Sequence, residues 1–281
     1  MTDFAARALS TFLHELGGIA IFNIRIARTY FGTAGNGPEI FRQTAIICTR
    51  SITTVLFAGV FVGAILVVQF NLMLKQYDAQ MYLGGLNTSA LVREVGPLII
   101  SFLLAGKIGA FTAAELGTMR VTDQIDAMEC LGANPVQRIV LPRFIAIILA
   151  SVILLGLGLV ISIAGSTIVA TVFCGINPLR FAGSFPRFVG VWTVACGMIK
   201  ALVYGVIVAG VSCYKGYTAS GGARGVGRAV TLAAVYTNLY IVIADFITSN
   251  ILEFLTEVWR IALAGALAWL AAHGWIAGGG L

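Results

Sequence analysis

Residues 113–135, AAELGTMRVTDQIDAMECLGANP, form a charged segment between long apolar runs, and this segment organises the chain. A helical projection at about 100° per residue separates it into an apolar face and an acidic face: Val121, Ile125, Met128 and Leu131 on one, Asp123, Asp126 and Glu129 on the other. Thr122 followed by Asp123 predicts the helix start, and Gly132 with Asn134-Pro135 predicts its end. The spacing fits a helix that docks on a soluble partner, and equally a solvated helix lying on a membrane surface.

The composition places the chain in the membrane-protein class. Hydrophobic residues make up 59% of it and charged residues only 11%, whereas soluble domains carry about 25% charged residues. Several uncharged runs reach the ~20 residues needed to cross a bilayer. The net charge of +6 comes from basic residues scattered at the ends of these runs. That distribution reflects membrane topology and argues against nucleic-acid binding.

Five membrane-spanning helices are predicted. Four of them follow from charge-free runs: residues 51–74, 144–170, 189–214 and 229–254. The second span differs, because only 12 uncharged residues separate Glu94 from Lys107. We therefore expect Arg93, Glu94 and Lys107 to lie near the interfaces or in a protein-lined cavity.

Local features predict how the first two spans pack and connect. Gly59 and Gly63 form a GxxxG pattern, which lets two helices approach closely. Pro97, just inside the second span, predicts a kink. Residues 75–92 are polar and predict a connection between the two spans.

The two ends of the chain differ from this central block. Residues 1–37 place apolar side chains at helical spacing among arginines, which predicts an amphipathic segment at the membrane interface, ended by a turn at 32–38. Residues 38–257 form the membrane-spanning domain. Residues 258–281 form an apolar tail, and its uncharged part is long enough for a sixth span.

The basic residues predict the orientation in the membrane. With the N-terminus inside and five spans, twelve Lys and Arg residues fall in inner segments and five in outer segments, with Lys200 inside the membrane. Inner loops carry the excess of Lys and Arg. The sequence therefore predicts a cytoplasmic N-terminus and a cytoplasmic position for the acidic amphipathic helix.

The sequence argues against catalysis by this chain. It has no GxxxxGK[ST] phosphate-binding loop, and no Ser-His-Asp or Cys-His set falls at one membrane depth. The five cysteines lack paired spacing and are interpreted as small buried apolar residues. His14 and His273 lie far from any Cys or acidic cluster, so we expect no metal site.

Four charged residues at membrane depth carry the remaining chemistry: Arg93, Glu94, Lys200 and Asp245. Charges in hydrocarbon cost about 2.5–3.5 kcal/mol on insertion scales and mark a pathway or an internal ion pair. Three interpretations stay open: mutual neutralisation, contact with a charged substrate, or proton relay. Glu94 and Lys200 are each alone among apolar neighbours in their spans, which predicts that they pair, with Arg93 nearer the outer mouth.

Residues 91–143 carry a resemblance to a known family. The stretch LVREVGPLIISFLLAGKIGAFTAAELGTMRVTDQIDAMECLGANPVQRIVLPR closely resembles the signature region of the MlaE/YrbE family. The resemblance extends to NPLRF, IKALVYG, SCYKGY and GVGRAV, so that it covers about residues 40–255. Members of that family are permease subunits of MCE-type ABC transporters, which move phospholipids and other lipids between bacterial membranes.

The resemblance implies an assembly. It implies an all-α integral membrane protein with an interfacial helix, five spans and a cytoplasmic coupling helix between the second and third. It implies a homodimer in the inner membrane, paired with a cytoplasmic ABC ATPase dimer and a periplasmic MCE-protein hexamer. This chain would then bind no cofactor, because ATP and Mg²⁺ belong to the ATPase. The family usually ends near the fifth span, so the resemblance assigns nothing to residues 260–281.

The resemblance also implies two sets of functional residues. Those expected to line or support the lipid cavity are Tyr77, Arg93, Glu94 and Lys200, with Leu66, Val67 and Phe70 offering an apolar path. Those expected in the ATPase-coupling region are Glu115, Arg120, Asp123, Ile125, Asp126, Met128 and Glu129.

The sequence therefore predicts a non-enzymatic permease that couples ATP hydrolysis by a partner to lipid translocation through a cavity at the dimer interface. The alternative is a secondary transporter that couples ions through Glu94, Lys200 and Asp245. A structural membrane anchor is a third interpretation, in which the buried charges are dispensable.

Overall fold

The computed structural model describes residues 2–32 and 37–272, and in these residues the chain is helical throughout. Nine helices follow one another in these two described ranges: α1 (Thr2–Gly32), α2 (Gly37–Lys75), α3 (Gln80–Val121), α4 (Gln124–Cys130), α5 (Val136–Val172), α6 (Pro178–Gly183), α7 (Phe185–Phe188), α8 (Val191–Tyr217) and α9 (Gly222–Ala272).

Five of the helices are long and apolar enough to cross a membrane, as the sequence predicts: α2, α3, α5, α8 and α9 up to Trp259. The shortest, α8, has 27 residues. At a rise of ~1.5 Å per residue it exceeds the ~30 Å of a bilayer core. Helices α2, α3, α5 and α8 alternate in direction. One end of this group therefore carries α4, and the opposite end carries α6 and α7.

The prediction of a polar connection at residues 75–92 is wrong for most of this range, because α3 already begins at Gln80. One buried polar side chain of this stretch bonds to another span. Asn87 is fully buried and donates from Nδ2 to the Ser166 hydroxyl of α5 at 3.0 Å. Polarity along the sequence therefore marks internal hydrogen bonding here. Only residues 76–79 form the connection between the two spans.

Helix α3 contains two π-helical turns, Leu91–Val95 and Ala105–Gly109. The first lies directly before Gly96 and Pro97, so the helix continues through the proline. Such turns are common at functional sites. Both hold charged residues that the sequence singled out, Glu94 in the first and Lys107 in the second.

The closest helix packing lies between α2 and α5, and the GxxxG prediction is confirmed there. A Cβ on Gly59 would lie 3.0 Å from the Gly158 carbonyl oxygen, and one on Gly63 would overlap the carbonyl of Ser162. The Ser166 hydroxyl lies 3.0 Å from the Gly63 carbonyl oxygen. Small residues on both helices thus bring the backbones into contact.

Helix α1 packs through one face on the end of the bundle that carries α4. Phe22 and Ile26 are buried in a cluster with Leu116, Val140 and Cys213. The expected turn after α1 is consistent with the described ends, since α1 stops at Gly32 and α2 begins at Gly37. The part of that turn at residues 33–36 lies outside the described residues.

The chain divides into two units, one up to Val242 and one beginning at Ile243. In the second unit the helix exposes large apolar side chains, among them Phe246, Phe254 and Trp259, as expected of a lipid-facing surface. The apolar tail expected from 258 continues this helix to Ala272. Residues 273–281, which hold His273 and the end of the possible sixth span, lie outside the described residues.

Candidate functional site

The predicted pair between Glu94 and Lys200 is confirmed. Lys200 of α8 donates from Nζ to the Glu94 carboxylate, which projects from the first π-helical turn of α3. The lysine side chain is 2% exposed and the glutamate side chain 48% exposed. The pair therefore links a fully buried cation to an anion at an open surface. Lone charges at these positions would carry a large desolvation cost.

The other two charges at membrane depth lie apart in the chain. Arg93 is half-buried beside Glu94, and Asp245 is half-buried in the second unit. Both take part in interactions of their own. Of these four charges, Glu94 and Lys200 form the ion pair described above.

The residues expected along the lipid path have different environments. Tyr77 is exposed in the connection between α2 and α3, and Leu66 is half-buried. Val67 is instead part of the core, because its side chain is fully enclosed by a cluster with Leu83, Ala170 and Phe181. Phe70 is half-buried and packs on that cluster. Leu66, Phe70 and Tyr77 therefore keep exposed surface, and Val67 does not.

The short helix α4 begins one residue later than predicted. Gln124 is its first residue, and Asp123 stands at the N-cap position with φ 58°, in the left-handed region. Thr122 is exposed and ends the preceding helix, with its hydroxyl bonded to the Thr118 carbonyl at 2.8 Å. A left-handed residue between α3 and α4 reverses the chain sharply, which Asp tolerates better than most residues.

The apolar face of α4 is turned toward the protein. Ile125 is fully buried and Met128 is half-buried, so they hold α4 against the bundle, while Val121 of the predicted face lies at the end of α3 and is half-buried. Ile125 is therefore not a docking contact in this structure. Leu131 differs from them, because it is 84% exposed just after the helix end. It offers the largest apolar surface that α4 leaves for a partner.

The acidic face of α4 is partly occupied by the chain itself. Arg120 donates to the Asp126 carboxylate, and the Tyr217 hydroxyl of α8 donates to Glu129 Oε1 at 3.2 Å. Glu115 accepts from Arg143 of α5 at 2.7 Å. Three of the expected coupling acids thus tie α4 and its flanking helices together. Asp123 lies exposed beside them.

The ion pair between α1 and α8 is among those that the sequence did not predict. Glu15 of α1 and Lys215 of α8 are 2.6 Å apart, and the Lys215 side chain is almost fully buried. Its ammonium also lies 4.7 Å from the centre of the Tyr236 ring. The signal in the sequence is Glu15 itself, an isolated acid in an apolar helix. The pair fastens α1 to the bundle, close to α4.

The chain matches known permeases over most of its length. Residues 40–251 match the family described as Permease MlaE. A probable ABC transporter permease protein of Synechocystis sp. is 36% identical over 214 residues, which cover 76% of this chain and 81% of the relative. One from Rickettsia conorii is 31% identical over 240 residues, covering 85% and 93%.

A third relative has a more specific name. The intermembrane phospholipid transport system permease protein MlaE of Haemophilus influenzae is 29% identical over 217 residues, which cover 76% of this chain and 83% of the relative. The family match over residues 40–251 and the similarity to these relatives lead to one conclusion. The chain belongs to the MlaE family of permeases.

Proposed function

We propose that this chain is the membrane-spanning subunit of an ABC transporter that moves phospholipids between the bacterial inner and outer membranes. The similarity to a relative named as an intermembrane phospholipid transport permease is the observation that carries the substrate class. The family match over residues 40–251 supports the same role for the whole membrane domain. ATP hydrolysis would take place in a separate subunit.

The end of the bundle that carries α4 offers the surface for that ATPase. Helix α4 is anchored by buried Ile125 and by the contacts of Asp126 and Glu129 to Arg120 and Tyr217. A force applied to α4 would therefore reach α3 and α8 directly. Exposed Leu131 is available for an apolar contact with the ATPase. With an N-inside orientation this end faces the cytoplasm.

The Glu94–Lys200 pair supports a substrate path on the other half of the bundle. The carboxylate of Glu94 is half exposed while Lys200 is enclosed. The open side of the pair can therefore face a cavity between two copies of the chain, with Leu66 and Tyr77 providing apolar and aromatic surface. A periplasmic MCE-protein hexamer would receive or deliver the lipid beyond Tyr77.

The test is reconstitution of the chain, purified with its ATPase, into liposomes that contain a fluorescent phospholipid. We expect ATP-dependent movement of the lipid, which stops when the catalytic glutamate of the ATPase is replaced. The secondary-transporter alternative predicts instead movement that follows an imposed proton or ion gradient without ATP. Lipid movement under a gradient alone would contradict the proposal.

A further inference from the structure

A cavity lined by basic side chains lies at the end of the bundle opposite α4. This open cavity of about 690 Å³ is lined by the start of α3, the loop after α5, and helices α6 and α7. This volume is within the range of about 300–1,000 Å³ that small-molecule sites occupy. Two arginines line it, Arg180 of α6 and Arg187 of α7. The mechanism proposed above does not use either of them.

The charge in this cavity is uncompensated. Among the residues that the structure describes, none of those lining the cavity is acidic. Burial raises the pKa of the Cys174 thiol, another lining group, so that it is neutral near pH 7. Arginine keeps its charge at any ordinary pH. The cavity therefore carries two fixed positive charges and no negative one.

The walls of the cavity are packed closely on one another. A Cβ on Gly84 would overlap the Phe181 carbonyl, and one on Gly85 would overlap the Phe188 ring, so α3 is in direct contact with α6 and α7. The Arg187 guanidinium lies 5.4 Å from the centre of the Tyr82 ring. This contact holds one cation at the wall. Met81 and Ile176 add apolar lining beside the arginines.

We propose that this cavity binds the phosphate group of a phospholipid, with the guanidinium groups of Arg180 and Arg187 as its donors. A planar guanidinium matches phosphate oxygens in a bidentate arrangement, and the apolar lining suits the glycerol and upper acyl chain. Phospholipid would bind here as it enters or leaves the transporter near the outer mouth. The site is separate from the Glu94–Lys200 pair. This inference rests on the proposed phospholipid function.

The test uses the full chain in nanodiscs, without ATPase or ATP. The photocrosslinker p-benzoylphenylalanine replaces Met81, which lines the cavity and is 68% exposed. The matched control replaces Met73 of α2, which is 60% exposed and does not line it. The nanodiscs contain either phosphatidylglycerol or phosphate-free diacylglycerol of the same acyl chains.

We expect adducts with phosphatidylglycerol at position 81, reduced about tenfold by Arg180→Gln or by Arg187→Gln and further by both. Adducts at position 73 should not respond to these substitutions. Because both arginines are exposed at the surface, we expect their replacement to leave the melting temperature unchanged. The measured melting temperature then shows that the variants are folded. Arg180→Lys should restore part of the labelling, because it keeps the charge and loses the bidentate geometry.

Three results would overturn the inference. One is equal labelling by diacylglycerol, and another is labelling unaffected by the double substitution. The third is loss of a co-purified protein from the double variant with lipid labelling intact, which identifies an acidic partner surface instead. Binding of inorganic phosphate to the chain in detergent, without phospholipid, tests the other source: phosphate binding that needs both arginines, together with no labelling by phosphatidylglycerol, identifies a free-phosphate site and rejects the headgroup. Since no ATP is used, failure here leaves the ATP-dependent transport test untouched.

Discussion

Lys200 and Glu94 show how a single buried charge constrains two helices. Lys200 has no exposed surface to reach water, whereas half of the Glu94 side chain is open. Removal of one partner from a buried pair typically costs about 3–5 kcal/mol, because the other charge is left unpaired. Replacement of Glu94 leaves the buried Lys200 charge unpaired, and Lys200→Glu puts a carboxylate into the buried position itself.

We expect Glu94→Lys and Lys200→Glu each to reduce folded yield and lipid transport, Lys200→Glu more severely. The double exchange should recover part of both, because it restores opposite charges across α3 and α8. Yield and melting temperature in detergent, followed by transport in liposomes, measure the effect. Lys107→Glu is the control, since Lys107 is exposed and donates only to the Thr54 hydroxyl at 2.9 Å. A double variant no better than the worse single variant would contradict a direct pair.

Helices α2 and α5 depend on glycine at their crossing. We expect Gly63→Ala to lower the melting temperature, because the new methyl group overlaps the Ser162 carbonyl and the helices must separate. Overpacking of this kind typically costs about 1–3 kcal/mol. Gly156→Ala on α5 is the matched control, because a Cβ there meets no atom within 4 Å. Equal melting temperatures for the two variants would show that the close approach is not needed.

Helix α4 gives a separate prediction about the partner ATPase. We expect Leu131→Asp to weaken co-purification of the ATPase about tenfold or more, since it places a charge in the apolar contact. The melting temperature should stay constant, because Leu131 is 84% exposed. Leu179→Asp is the control, being 82% exposed at the opposite end of the bundle. If both variants retain the ATPase equally, α4 docks without Leu131.

Assembled with a second copy, the molecule is expected to enclose a lipid path along α2. A photocrosslinker at Leu66 or Tyr77 should then capture phospholipid, and one at Ile148 of α5 should capture less. Leu66 is half-buried and Tyr77 exposed, while Ile148 packs near Gly205 of α8. Mass spectrometry of the adducts measures the labelling. Similar labelling at all three positions would indicate bilayer lipid rather than a defined path.

Much of the architecture follows from local chemistry. Five spans were predicted correctly, because a bilayer demands about 20 apolar residues whatever their neighbours are. The pairing of Glu94 with Lys200 was also predictable, since two isolated opposite charges at similar depth have few other partners.

The remaining features depend on which surfaces meet in three dimensions. Residues 80–92 are polar yet helical, because Asn87 reaches Ser166, which lies 79 residues away in sequence. Val67 and Ile125 face the core rather than a cavity or a partner, and periodicity alone does not reveal which face of a helix is covered. The arginine-lined cavity forms only where three separate segments converge. Hydropathy is a property of each stretch of chain, whereas burial is a property of pairs of stretches, and only the folded molecule brings those pairs together.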